Sequence, residues 1–313
     1  MKKFILSFFL FSKILFAQEA NDKIVYLDSV WNESTKENHE YYRLVKNYYL
    51  EKEEYTFEDY YKSGKIQMQG ISESKDVFIK KGEFNLYYEN GTKKETIFYE
   101  KGRPKGNYYE WYENGQKCIE GEYIADEKNL NSELKIISYW DEKNIQKVID
   151  GNGELEEKDK NSNEFGKIKN GFKDGVWVGK NKNPKISYTE TYENGILKNG
   201  ICIDSLNIKR QYNEVFRQPR PKKGLQDFYK HIRKKFKIPR KLENISGKIV
   251  LNFVINTDGS IENIKVAKSI NYDLDQEAIR VLQKYPDWSI GEFRGIKVKT
   301  SYSIPITIQA AEE

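Results

Sequence analysis

Two cysteines, Cys118 and Cys202, and two histidines, His39 and His231, are the only thiols and imidazoles in a chain of 313 residues. Neither cysteine belongs to a Cys-x-x-Cys pair, so the sequence predicts no metal site, no redox pair and no cofactor. Each sits in a strand-like run, where a thiol packs as a small hydrophobe. In an oxidising compartment the alternative is a disulfide between them. Asp and Glu number 48, yet no two of them form a recognisable acid–base motif. There is no nucleophile elbow, phosphate loop or metal-ligand cluster. No catalytic residue is assigned, and the chain is expected not to be an enzyme; a carboxylate-based glycan hydrolase is the competing reading.

Two other kinds of chemistry remain. The first belongs to the backbone. A closing strand, Val298 to Ile308, holds one proline, Pro305, which cannot donate a ladder bond and marks a sheet edge or a bulge. Its residues Thr300, Ser301, Tyr302, Ser303 and Ile304 are candidates to bind a partner by strand addition, or else simply finish the core. The second belongs to cations. Between Arg220 and Lys241 ten bases stand against one acid, Asp227. Lys230, Arg233, Lys234 and Lys237 form the centre of this basic surface, read either as a solvated helix face or as a surface for lipid headgroups, cell-wall polymer or an acidic partner. Elsewhere the charges interleave and the net charge is only +5, so nucleic acid is not an expected partner.

The elements that would position these residues follow from periodicity. Leu225, Phe228, Ile232 and Phe236 fall at helical spacing, and Ile238-Pro239 closes that helix. Ile249, Leu251, Phe253 and Ile255 alternate on one strand face, with Val250 and Val254 on the other, so both faces are expected to be covered. Asp258-Gly259 turns the chain back into a second strand carrying Ile264 and Val266. Asp273 offers an N-cap with Gln276 at capping-box spacing, and Leu274, Ala278, Val281, Leu282 and Tyr285 form the buried helix face. Val298, Thr300, Tyr302, Ile304, Ile306 and Ile308 share one side of the last strand. The sum is a small α+β domain over 225–310.

This order resembles the C-terminal domain of TonB, the energy transducer of bacterial outer-membrane transport. The matching residues are Gly247, Asp258-Gly259-Ser260-Ile261, Leu274-Asp275-x-Glu277-Ala278, Pro286-x-Trp288, Gly291, Gly295, Val298 and Ile304-Pro305-Ile306. One departure is Trp288-Ser289-Ile290-Gly291 where the family has Trp-x-Pro-Gly, which alters one loop. The resemblance implies that an outer-membrane TonB-dependent receptor, or another envelope protein, adds an extended segment to the edge at Thr300–Ile304. It also implies a motor of the ExbB–ExbD type if the N-terminus is an uncleaved anchor.

Residues 55–215 read as β-hairpin repeats. Tyr60-Tyr61-Lys62-Ser63-Gly64, Tyr87-Tyr88-Glu89-Asn90-Gly91, Trp111-Tyr112-Glu113-Asn114-Gly115 and Thr191-Tyr192-Glu193-Asn194-Gly195 recur. Asn-Gly and Asp-Gly supply positive-φ turn positions, and Tyr, Trp, Phe and Ile supply strand residues. One hairpin cannot bury its face alone, so the copies must share a sheet. The unit resembles MORN-type repeats and the YwqK-like antitoxin repeats, which implies a β scaffold or a binding sheet with aromatic rows. It loses regularity between Glu127 and Gly166. Residues 18–54 are expected to enter the same sheet as strand, and 216–224, with two prolines and a glycine, to be a linker.

The fold class is thus mainly β: a repeat-built antiparallel meander followed by a small α+β domain. Met1-Lys2-Lys3, the apolar run Phe4–Phe16 and Ala17 have the pattern of a signal peptide over 1–17, too short to span a bilayer. The expected location is the periplasm or cell envelope, with an inner-membrane anchor as the alternative. Two functions stay open beside the enzyme: a TonB-like protein in transmembrane transport, and a periplasmic protein- or cell-wall-binding scaffold.

Overall fold

The computed structural model describes residues 21–126, 131–242, 244–285 and 288–309; the expected signal peptide and Pro286 lie outside them. Among the described residues sixteen strands, from β1 (Lys23–Leu27) to β16 (Lys209–Tyr212), form one antiparallel meander in sequence order. Residues 18–54 supply β1 and β2 (Tyr41–Val45) to this sheet. By compactness the chain divides into two units, Met1–Leu155 with Ile168–Phe172, and Glu156–Lys167 with Lys173–Glu313. The second unit therefore holds the last repeat strands as well as the C-terminal region.

In the first unit two turn types alternate. At Gly91 and Gly115 only the glycine has positive φ, 92° and 84°. The preceding Asn side chains accept from the N–H two residues on, Asn90 from Thr92 at 2.8 Å and Asn114 from Gln116 at 2.9 Å. These are three-residue loops ending in a glycine bulge. Lys101-Gly102 and Asp150-Gly151 instead hold both residues at positive φ, as two-residue turns do. Tyrosines tie successive turns: Tyr61 donates its hydroxyl to the Tyr87 carbonyl at 2.8 Å, Tyr88 to Trp111 at 2.9 Å and Tyr112 to Trp140 at 2.8 Å. Aromatic rings fill space left open by glycine. A Cβ on Gly70 would lie 2.3 Å from the Phe84 ring, which is fully buried.

The second unit continues this device. β12 (Ser162–Lys169) carries Gly166 beneath Trp177 of β13 (Phe172–Lys182), and Gly179 lies beneath Tyr188 of β14 (Lys185–Glu193). β15 (Ile196–Asp204) and β16 follow.

The C-terminal region of the second unit packs α1 (Leu225–Lys235) and α2 (Tyr272–Gln283) with a sheet of order β19 (Ile261–Lys268), β18 (Gly247–Ile255), β22 (Thr300–Ile308). Ile249, Leu251, Phe253 and Ile255 are buried, each contributing about 1.5–3 kcal/mol. The other face of β18 is not covered: Lys248 and Asn252 are exposed, Val250 and Val254 half-buried. α2 starts two residues earlier than expected. Asn271, not Asp273, is the N-cap and accepts the Asp273 N–H at 2.9 Å. Asp273 thus lies in the first turn, where its charge suits the helix dipole, and pairs with Lys241 at 2.8 Å. Val298 is not part of the last strand. It ends β21 (Ile296–Val298), which pairs with β20 (Gly291–Phe293) through the tight turn Arg294-Gly295, both at positive φ. Among the described residues no helix is long and apolar enough to cross a membrane.

Candidate functional site

β22 pairs residue for residue with β18 from Gly247↔Ile308 to Ile255↔Thr300, and no other strand joins it in that sheet among the described residues. In an antiparallel ladder alternate residues turn their backbone groups toward the neighbour. Pro305, opposite Val250, has no N–H to give and so takes a position facing away from β18. Its carbonyl accepts the Tyr229 hydroxyl of α1 at 3.2 Å. By the same alternation Ser301 and Ser303 turn their N–H and C=O groups to the open edge. Thr300 and Ile304 are buried, and Tyr302 packs on Phe253 and Trp288. Of the five strand candidates, then, Ser301 and Ser303 turn backbone groups to the open edge, and Thr300, Tyr302 and Ile304 pack into the core.

A groove of about 610 Å³ runs beside Ser301, Tyr302 and Ser303, and its other lining is Glu214 with Phe216–Arg220. The run expected as a linker is therefore tied down. Phe216 and Arg217 form β17 (Phe216–Arg217) against β20, and Arg217 pairs with Glu292. Ser289 donates its N–H to the Arg220 carbonyl, and its hydroxyl accepts the Arg220 N–H, both at 2.8 Å. Two prolines remove donors from this run, but its remaining backbone groups still need partners. Ser289 belongs to the loop in which this sequence departs from the TonB pattern.

The β20–β21 turn carries an ion cluster that sequence reasoning missed. The Arg294 guanidinium lies 3.5 Å from the centre of the Tyr188 ring and donates through Nε to Glu190 Oε1 at 2.8 Å. Its Nη2 stands 3.4 Å from Glu164 Oε2. The Glu190 side chain is fully buried and that of Arg294 is 8% exposed. Glu190 also accepts the hydroxyls of Tyr212 at 2.6 Å and Tyr192 at 2.9 Å. Arg294 N–H reaches the Val215 carbonyl at 2.8 Å, and Cys202 Sγ donates to the Arg294 carbonyl at 2.9 Å. Burial pushes the Cys202 thiol up. Both Cys118 and Cys202 are buried as thiols.

Glu164 also meets Lys173 and Glu157. Burial, with the adjoining Glu164 carboxylate, pushes Glu157 up to about 7 against the pull of Lys173. Burial also acts to raise Glu164, but hydrogen bonds from Glu157, Lys173 and Tyr188 outweigh it and hold Glu164 down at about 2. Of the Arg294-Gly295 turn only Gly295 was singled out in the sequence, as a residue matching the TonB pattern. Its acidic partners, 104 and 130 residues away, were not.

Lys230, Arg233, Lys234 and Lys237 are exposed around α1, away from buried Phe228 and Ile232. None of the four forms an ion pair among the described residues, and none lines the groove at Ser301–Ser303.

Residues 240–307 match the family model for the C-terminal region of the Gram-negative bacterial TonB protein. This part of the chain is thus similar to a TonB C-terminal domain; α1 and the 214–220 groove lining precede the matched span. A solved structure that matches is the solution NMR structure of the Helicobacter pylori TonB C-terminal domain, at 24% identity, covering 28% of this chain and 82% of that one with a TM-score of 0.23. No curated protein matches the chain.

Proposed function

We propose that this chain is a cell-envelope protein whose C-terminal domain receives an extended segment of an outer-membrane transport receptor at the β22 edge. The observation that carries the reading is an edge strand whose Ser301 and Ser303 backbone groups open into a groove, within a TonB-type domain. Strand addition supplies affinity through main-chain bonds and specificity through alternate side chains. No catalytic role is assigned. The periplasm is the proposed location, and the repeat sheet, with its resemblance to MORN-type repeats, is proposed as the scaffold.

Arg294 leaves room for a second reading. It fastens the C-terminal region to the last repeat strands through a buried ion pair, an arrangement suited to a fixed periplasmic binding scaffold as much as to a motor-pulled transducer. An ExbB–ExbD-type motor would require an intact N-terminal anchor. The N-terminal residue of the native protein separates the two: a start at Met1 in the inner-membrane fraction supports transduction, and a start near Gln18 in the soluble fraction supports the scaffold.

The binding reading is tested by replacing Ser303 with a photo-crosslinking amino acid in the native host. Adducts with an outer-membrane transport receptor are expected, competed by the receptor's own periplasmic segment. Labelling without any such receptor would sink the reading.

A further inference from the structure

We propose that residues Phe216–Arg220, which precede the span matched to the TonB family, form a second wall of the β22 groove, and that Arg220 selects an extended segment carrying one acidic side chain. The inference rests on the strand-addition reading and deepens it. The groove is lined on one side by the Ser301–Ser303 edge and on the other by Glu214 and Phe216–Arg220. Its volume of about 610 Å³ lies within the range of true ligand clefts.

The second lining is held rather than loose. β17 pairs with β20, and the Arg220 backbone is bonded on both sides to Ser289. Two arginines line the groove, but they are not equivalent. Arg217 is neutralised by Glu292. The Arg220 side chain is exposed and has no ion pair among the described residues. An anchored backbone whose guanidinium pairs with no described carboxylate is a ready donor to a carboxylate of the bound segment. Phe216, 41% exposed in the same lining, offers a face to an apolar residue. Glu214, also in the lining, disfavours a second acid, so a polyacidic segment gains nothing.

The length of the occupant is bounded as well. At Pro305 the edge loses its donor, and Tyr229 already occupies the carbonyl. Ladder bonding therefore stops after Ser303, and the footprint is a short extended segment.

The test uses the full chain and fluorescein-labelled heptapeptides of alternating Thr and Val with one central Glu, Gln or Lys, read by anisotropy at low salt. The Glu peptide is expected to bind wild type best. Arg220→Glu should weaken it about threefold to tenfold, from an exposed attraction turned to repulsion, and should bind the Lys peptide in its place. Equal affinities for the Glu and Gln peptides, with Arg220→Glu unchanged, would overturn the acidic selection while leaving strand addition intact. A Glu peptide methylated at alternate backbone nitrogens probes the underlying reading without altering the protein. Undiminished binding of that peptide would overturn strand addition itself. Absence of binding by every peptide up to about 1 mM would overturn the proposed selectivity, and the Ser303 cross-link then decides strand addition separately.

Discussion

Replacing Arg294 by Met removes one cation from a buried cluster and keeps the approximate volume. The change deletes the 2.8 Å bond to Glu190 and the stacking over Tyr188, and leaves a fully buried carboxylate behind. Breaking one side of a buried hydrogen-bonded pair costs about 3–5 kcal/mol. Two tyrosine hydroxyls, from Tyr192 and Tyr212, still reach Glu190, and hydrogen bonds to a charged group are each worth about 1.5–3 kcal/mol. The expected loss is therefore at the lower end, about 3 kcal/mol. Glu190→Gln in the Arg294→Met background removes the orphaned charge, so the double variant should be more stable than the sum of the singles by about 2 kcal/mol. The chain holds two compact units, and a single two-state transition is not assumed. Hydrogen exchange by mass spectrometry in increasing urea, read on peptides covering 196–212 and 288–300, reports the second unit directly. A loss under about 1 kcal/mol, or an additive double variant, would refute the claim that Arg294 fastens the β20–β21 turn to the last repeat strands.

Two further perturbations probe the same unit. Gly179→Ala places a Cβ 2.2 Å from the Tyr188 ring, and should cost about 1–3 kcal/mol by overpacking; a change of midpoint within error in urea denaturation would show that the ring moves away without cost. Glu157 is raised to about 7 from 4.5 and Glu164 lowered to about 2. The raised group's contribution is fully present below about pH 4.5 and is lost as pH rises through about 7; the lowered group's contribution is present above about pH 4.5 and is lost as pH falls through about 2. The second unit should be most stable near pH 4.5–5 and weaken toward pH 8, tempered by the 44% exposure of the Glu157 side chain. Glu157→Gln should flatten the pH 5–8 slope in urea midpoints, and an unchanged slope would remove Glu157 as its source.

The repeat turns, the strands between them and the buried faces of α2 and β18 were legible in the sequence. Each is a short-range pattern: a period of two or 3.6 residues, or a glycine after a turn-forming residue. Ile249 to Ile255 and Leu274 to Tyr285 fall on the buried faces that their spacing predicts. Turn class was less legible. The same Asn-Gly pair makes a three-residue loop at Asn90-Gly91 and a two-residue turn at Asn194-Gly195, because strand register, not the dipeptide, decides between them. Asn271 displaced Asp273 as cap for a similar reason: both types can cap, and the helix packing chose.

The candidate site divides along the same line. Pro305 and the alternation of Thr300 to Ile304 marked an edge strand, since a missing N–H and a period of two are properties of the chain itself. The groove's second lining, the pinning of Arg220 by Ser289, and the burial of Arg294 against Glu190 were decided by the tertiary structure. These contacts join residues 69 and 104 positions apart. A lone Arg or Glu carries no local signal of its partner, and whether a charge is neutralised or left open to a ligand depends on which distant carboxylate the fold brings beside it.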